Sequence, residues 1–329
     1  MRRAGRIAGR GAVLTLSVVA VVWAALALHF APLVPPPWGD GLTALMVLAT
    51  VVAFARLHMI QASMMVLFAP ALVLVAFLQL RPTNDRSWEK EYAVLAGSTR
   101  NGDTLHISNI RNFTWTSATT ATAGYYDATF DLNDVQGVDL VLSYWAGDAI
   151  AHVFVSFAFG DGRHLAVSAE TRRAEGQAYS TLGGFFRNYE LIYVIADERD
   201  VIGVRTNMRH ERVYLYRLQA PPEAARRLLL SYLEKVNALA KTPEFYNTVA
   251  DNCTSNVISR IAAMPGSAGH PPYSWKLLLS GYTDSYAYDL GRLDRDLPFP
   301  ELKLRSRLVG GTDASIASNY SSAIRARLP

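Results

Sequence analysis

"GVDLVLSYWAGDAIAHVFVSFAFGDGRHLAVSAET", Gly137 to Thr171, decides how most of this chain folds. Three segments inside it, "VDLVLSYW", "AHVFVSFAF" and "HLAVSAET", mix β-branched and aromatic residues with period-two alternation, the pattern of strands. "GDG" at Gly160–Gly162 separates the last two and reads as a tight hairpin turn. Working outward, "TLHISNIRNF" and "YYDATFDL" precede the run and "ELIYVIAD" and "RVYLYRL" follow it, all strand-like. The period then changes. "PPEAARRLLLSYLEKVNALAK" opens on prolines and continues in good helix formers, which predicts a helix from about Glu223 to Ala240. The fold class expected is α+β, a mostly antiparallel sheet with helices packed on it.

The 329 residues are 50% hydrophobic and 18% charged, with a mean hydropathy of +0.11, and the apolar excess lies at the front. Ala12–Leu28 and Ala62–Leu80 are uncharged runs of 17 and 19 residues, near the about 20 that a membrane span requires. Leu42–Ala55 is shorter, and spans only by absorbing Arg56 and His58 near an interface. "HFAPLVPPPWGDG" offers no small-residue cleavage site, so the first run reads as a span and not as a signal peptide. "PLVPPPWGDG" and "RLHMIQ" divide the three spans. Arg2, Arg3, Arg6 and Arg10 place the N-terminus in the cytoplasm, and Arg56 has the same preference. Three crossings put the rest of the chain outside the cytoplasm; failure of the middle run to cross would reverse that. The domains expected are a 1–80 membrane anchor and an 81–329 outer domain, divided at the polar "RPTNDRSWEKEY".

The net charge of +4 equals the four leading arginines, so it reflects topology and gives no sign of a nucleic-acid partner. There is no HExxH, CxxC, GxGxxG or GxxxxGK, and no metal or other cofactor is expected. The oligomeric state is left open.

The single cysteine stands in "YNTVADNCTSNVISRIAAMPG", Tyr246–Gly266. Asp251 or Asn252 can cap a helix whose first turn holds Cys253, and Pro265 and Gly266 stop it after about three turns. A helix start favours the thiolate, and the Cys253 N–H can meet an oxyanion. The bland reading is a small hydrophobe buried beside Val257 and Ile261. An unpaired thiol in an oxidising compartment is a liability, which favours the nucleophile. Among the five histidines after the anchor, His106, His164, His210 and His270 read as ordinary strand, turn, surface or loop residues. His152 opens a strand, where a sheet edge can meet a helix N-terminus, and is the candidate base; a satisfied core histidine is its rival reading. Glu170 is the candidate partner that orients the imidazole. A three-residue loop at Gly160–Gly162 brings it opposite His152, whereas a two-residue turn brings Thr171 there instead. Its rival reading is a salt bridge to Arg172 or Arg173 on a solvated edge.

"RPTNDRSWEKEYAVLA", "ISNIRNFTW", "GVDLVLSYW…IAHVFVSFAF", "LAVSAETRRAEGQAYSTLGGFFRNYELIYVIADERDVIGVRTN" and "PEFYNTVADNCTSNV" resemble the Lnb N-terminal periplasmic domain family of Gram-negative bacteria, over about Arg81 to Gly266. The resemblance implies an inner-membrane protein with a periplasmic thiol-enzyme domain and a permuted papain-like or NlpC-like core, histidine preceding cysteine. It carries Cys253 over as nucleophile and His152 as base, with Glu170 as polar partner. It implies acyl transfer on a phospholipid or lipoprotein, as in a family member that N-acylates lipoproteins; the three-span anchor departs from that member. A cysteine peptidase or amidase acting on cell-wall peptide, and a non-catalytic envelope scaffold or binding domain, are the alternatives.

Overall fold

The computed structural model describes residues 2–35, 37–248, 253–262, 274–277, 279–310 and 319–329. The chain divides into two units. One comprises Met1–Thr83, Ala178–Glu190 and Phe245–Thr248; the other comprises Asn84–Gln177, Leu191–Glu244 and Val249–Pro329.

In the first unit the apolar runs form three helices, α1 (Arg2–Phe30), α2 (Trp38–Arg56) and α3 (Met59–Gln79). Each is long and apolar enough to cross a membrane. The middle helix is longer than its uncharged run suggests. It begins directly after Pro37, because prolines lack the N–H that a helix start leaves unused, and so takes in "WGDG", read from the sequence as part of a divider. Small and apolar residues pack the helices together, among them Ala24, Leu28, Met46, Ala53, Ala62 and Val66. The opposite faces expose Val18, Leu48, Val51, Met64, Phe68 and Leu72, the reverse of a soluble helix.

The second unit is built on strands β1 (Gly97–Asn101), β2 (Thr104–Arg111), β3 (Thr114–Trp115), β4 (Ala121–Thr122), β5 (Tyr125–Asp131), β6 (Val135–Ala146), β7 (Ile150–Phe159), β8 (His164–Arg172), β9 (Glu190–Ala196) and β10 (Arg212–Arg217). The main sheet has the order β1-β2-β9-β8-β7-β6-β10, with β5 also on β2, while β3 and β4 pair separately. Its longest pairing is the antiparallel pair β6–β7, registered from Val135↔Phe159 to Ala146↔Ile150. The expectation of an antiparallel sheet needs one correction, since β2 meets β9 in parallel at Arg111↔Ala196. Such a pair joins segments far apart in sequence, which alternation within either strand does not reveal.

Helices α4 (Glu198–Gly203), α5 (Pro222–Lys241), α6 (Cys253–Ala262), α7 (Thr283–Asp289), α8 (Phe299–Arg305) and α9 (Tyr320–Arg325) complete the described elements. Leu228, Leu229, Tyr232, Leu233 and Val236 recur at helical spacing in α5 and are buried. Each such side chain contributes about 1.5–3 kcal/mol of burial. Another core joins Val141, Phe154, Ala166 and Ile192 of the sheet to Val201 and Ile202 of α4 and Tyr320 of α9. Burial of β7 on both faces explains its nearly continuous apolar run. A polar residue inside it therefore has to find its partners within the protein.

Candidate functional site

One such residue is His152. The hairpin that carries it closes through a three-residue loop: the Phe159 N–H donates to the Arg163 carbonyl at 3.0 Å, and the Gly162 N–H to the Phe159 carbonyl at 3.0 Å. Gly162 takes φ +86°, the left-handed position that such a loop reserves for glycine. The ladder runs from Ala158↔His164 to Val155↔Val167, and in that register His152 faces Glu170. The side chains do meet, with His152 Nε2 3.0 Å from Glu170 Oε1.

Ser168 completes a triangle. Its Oγ lies 2.7 Å from His152 Nε2 and donates to Glu170 Oε1 at 2.8 Å. The triangle follows from strand geometry, because residues two apart share a face and Ser168 stands two before Glu170. The His152 and Glu170 side chains are only 14% and 15% exposed.

Arg205 approaches the same carboxylate, its Nη2 3.4 Å from Glu170 Oε1, while its Nη1 donates to the Val201 carbonyl at 2.6 Å. Its guanidinium stands 5.2 Å from the centre of the Phe154 ring. Arg205 sits in a π-helical stretch, Val204–Met208, that continues from α4. Such stretches are rare and occur often at functional sites.

Burial alone would raise the Glu170 carboxyl, but the His152 charge, the hydrogen bond from His152, Arg205 and the Ser168 hydroxyl hold it well below the usual carboxylate range. An anion kept at this position accepts the Nε2 proton and fixes the imidazole's orientation. The tautomer with its proton on Nε2 presents Nδ1 as the basic nitrogen.

The helix expected after the cysteine is present. α6 begins at Cys253, ends at Ala262 and packs against β7 and β8, the strands that carry His152 and Glu170. Thr254, Asn256, Val257 and Ile258 are buried, and Asn256 accepts a 2.5 Å hydrogen bond from the Tyr193 hydroxyl. The side chains of Cys253 and Ile261 lie outside the described residues, as do Asp251, Asn252, Pro265, Gly266 and His270. The structure thus brings His152 and Glu170 together, and of Cys253 it gives the backbone position at the helix start.

The remaining expectations fall differently. His106 reaches Thr129 on the exposed surface at 3.3 Å, His164 lies 3.1 Å from the Gly162 carbonyl, and His210 is exposed. Glu170 does not pair with its sequence neighbours. Arg172 turns into the protein toward Asn84 and the carbonyls of Tyr92 and Ala93, and Arg173 pairs with Glu89. Sequence reading missed Ser168, which strand parity with Glu170 could have flagged. It also missed Arg205, 35 residues further along, for which no local pattern exists. Among the described residues no group of three or more His, Cys, Asp or Glu could hold a metal ion.

Fold and site together define an α+β protein with three long apolar N-terminal helices and a partly buried histidine–carboxylate pair beside a helix that starts at the only cysteine. Residues 121–281, just under half of the chain, match the family model described as Lnb N-terminal periplasmic domain. β5 to β10 and α6 fall within the match, whereas "RPTNDRSWEKEYAVLA" and "ISNIRNFTW" precede it. None of the curated proteins and none of the solved structures matches the chain.

Proposed function

We propose that this is an inner-membrane protein whose large domain lies in the periplasm and carries out cysteine-dependent acyl transfer on a lipid or lipoprotein. The observation that supports this reading best is the contact of His152 on β7 with Glu170 and Ser168 on β8. The family match at residues 121–281 supports the compartment, since its description names a periplasmic domain. The leading arginines support a cytoplasmic N-terminus.

In this reading the core is related to the permuted papain-like thiol enzymes. The Cys253 sulfur adds to the carbonyl carbon of an acyl ester, and its proton passes to His152 Nδ1. The same nitrogen returns the proton to the departing alkoxide, leaving a thioester on Cys253. An amine or water then attacks the thioester, loses a proton to His152, and regenerates the thiol. Glu170 stays anionic throughout and holds the Nε2 proton.

The test is labelling of the detergent-solubilised chain with a fatty-acyl fluorophosphonate probe. Wild type should label, Cys253→Ala should not, and His152→Ala should label about 10²–10⁴-fold more slowly, the usual contribution of a general base. Equal labelling of wild type and Cys253→Ala would defeat the proposal. Digestion of purified muropeptides, with no reaction on phospholipid, would move the substrate to cell-wall peptide.

A further inference from the structure

We infer that Ala178–Glu190 is a membrane-inserted segment, lying at the lipid interface where α1 and α3 end, with Leu182 and Phe185 directed into the acyl chains. It follows β8 in sequence, yet clusters with the apolar helices in the same unit. Phe186 is buried among Ala27, Ala31, Phe30, Phe77 and Leu80, the C-terminal ends of α1 and α3. Its ring stacks on Phe30 at 5.9 Å.

Arg187 fastens the segment to α3. Its Nη1 donates to the Phe77 carbonyl at 3.0 Å and its guanidinium lies 4.7 Å from the Phe77 ring centre. The last carbonyls of a helix lack intrahelical donors and carry partial negative charge, so a cation there serves both needs. An arginine at a span's end is also the residue expected at headgroup level.

The apolar surface that remains has one natural occupant. Tyr179, Leu182 and Phe185 are 42%, 52% and 45% exposed on a segment whose other aromatics are buried. The exposed apolar face of α3, through Leu72, Val75 and Leu78, continues up to the residues that hold this segment. A surface continuous with lipid-facing helix sides is covered by the same lipid.

The segment also holds the chain that leads into α6. The Tyr246 N–H donates to the Tyr189 carbonyl at 2.9 Å, and the Thr248 hydroxyl to the Thr181 carbonyl at 3.0 Å, five residues ahead of Cys253. The inference rests on the helices crossing a membrane, and is independent of the chemistry assigned to Cys253.

Single-cysteine variants of the full chain test it, made in a Cys253→Ser background so that one thiol takes an environment-sensitive fluorophore. Leu182→Cys and Phe185→Cys are compared with Leu72→Cys on the exposed side of α3 and Thr119→Cys on an exposed turn. Each is reconstituted in phosphatidylethanolamine–phosphatidylglycerol vesicles containing acyl-brominated lipid. The expected result is quenching at 182 and 185 of at least half that at 72, with none at 119. Quenching at 72 alone overturns the inference and leaves the anchor standing. Absence of quenching at 72 overturns both.

Discussion

Ser168 and Glu170 convert a histidine that could have been an inert core residue into an oriented one. Both accept from or bridge to Nε2, so the imidazole plane is held by two contacts of 2.7 and 3.0 Å. A hydrogen bond to a charged group is worth about 1.5–3 kcal/mol, and Glu170→Gln should lower stability at neutral pH by that order. The pH dependence has a definite sign. The folded-state carboxyl titrates below the ordinary value near 4.3, so the anion's contribution is complete above about pH 5 and fades as pH falls through the acid range. Thermal unfolding of the detergent-solubilised chain from pH 7 to pH 3 should therefore show the two proteins converging on acidification. A gap that stays constant with pH would mean that Glu170 contributes packing alone.

The elements differ in how far the sequence announces them. All seven strand-like runs form strands, because each is rich in β-branched and aromatic residues, and the expected cysteine helix begins at Cys253. The opposition of His152 and Glu170 was legible only as a condition on loop length, since one residue more or less exchanges the faces of β8. The parallel meeting of β2 with β9 was not legible, nor was the clustering of Ala178–Glu190 with the helices, because both depend on where distant segments return. Arg205 belongs to the same group: a π-helical stretch has no sequence signature, yet it delivers a cation to Glu170. Its effect is testable as a positioning one. Arg205→Met removes a charge that lowers the Glu170 carboxyl, so that carboxyl should titrate at higher pH. Loss of the same cation also leaves a protonated His152 less repelled, so the acid limb of Cys253 probe labelling should shift upward relative to wild type, with the plateau rate near neutrality changed much less. A uniform loss of rate at every pH would assign Arg205 a structural role.

At the scale of the whole molecule the compartment of the large domain depends on whether α2 crosses the bilayer. Its 19 residues extend about 28 Å at 1.5 Å per residue, close to a hydrocarbon thickness of about 30 Å. The start of α2 meets the end of α1. His29 Nδ1 lies 2.6 Å from Asp40 Oδ1, and a Cβ on Gly39 would stand 2.2 Å from the Leu28 carbonyl oxygen. Further along, Met46 and Ala53 share one buried cluster with residues of α1 and α3. A helix that begins at its neighbour's end and packs back along both partners is expected to share their depth, which predicts three crossings. Three crossings would set residues after α3 opposite the arginine-rich N-terminus, the end expected to remain in the cytoplasm. Thiol labelling reads this directly in a Cys253→Ser background. In cells with a permeabilised outer membrane, an impermeant maleimide should modify Thr119→Cys at once and Arg10→Cys only after lysis. Modification of Arg10→Cys in intact cells, with Thr119→Cys protected, would invert the topology. Protection of both until lysis would instead put α2 on the cytoplasmic surface and the large domain inside the cell.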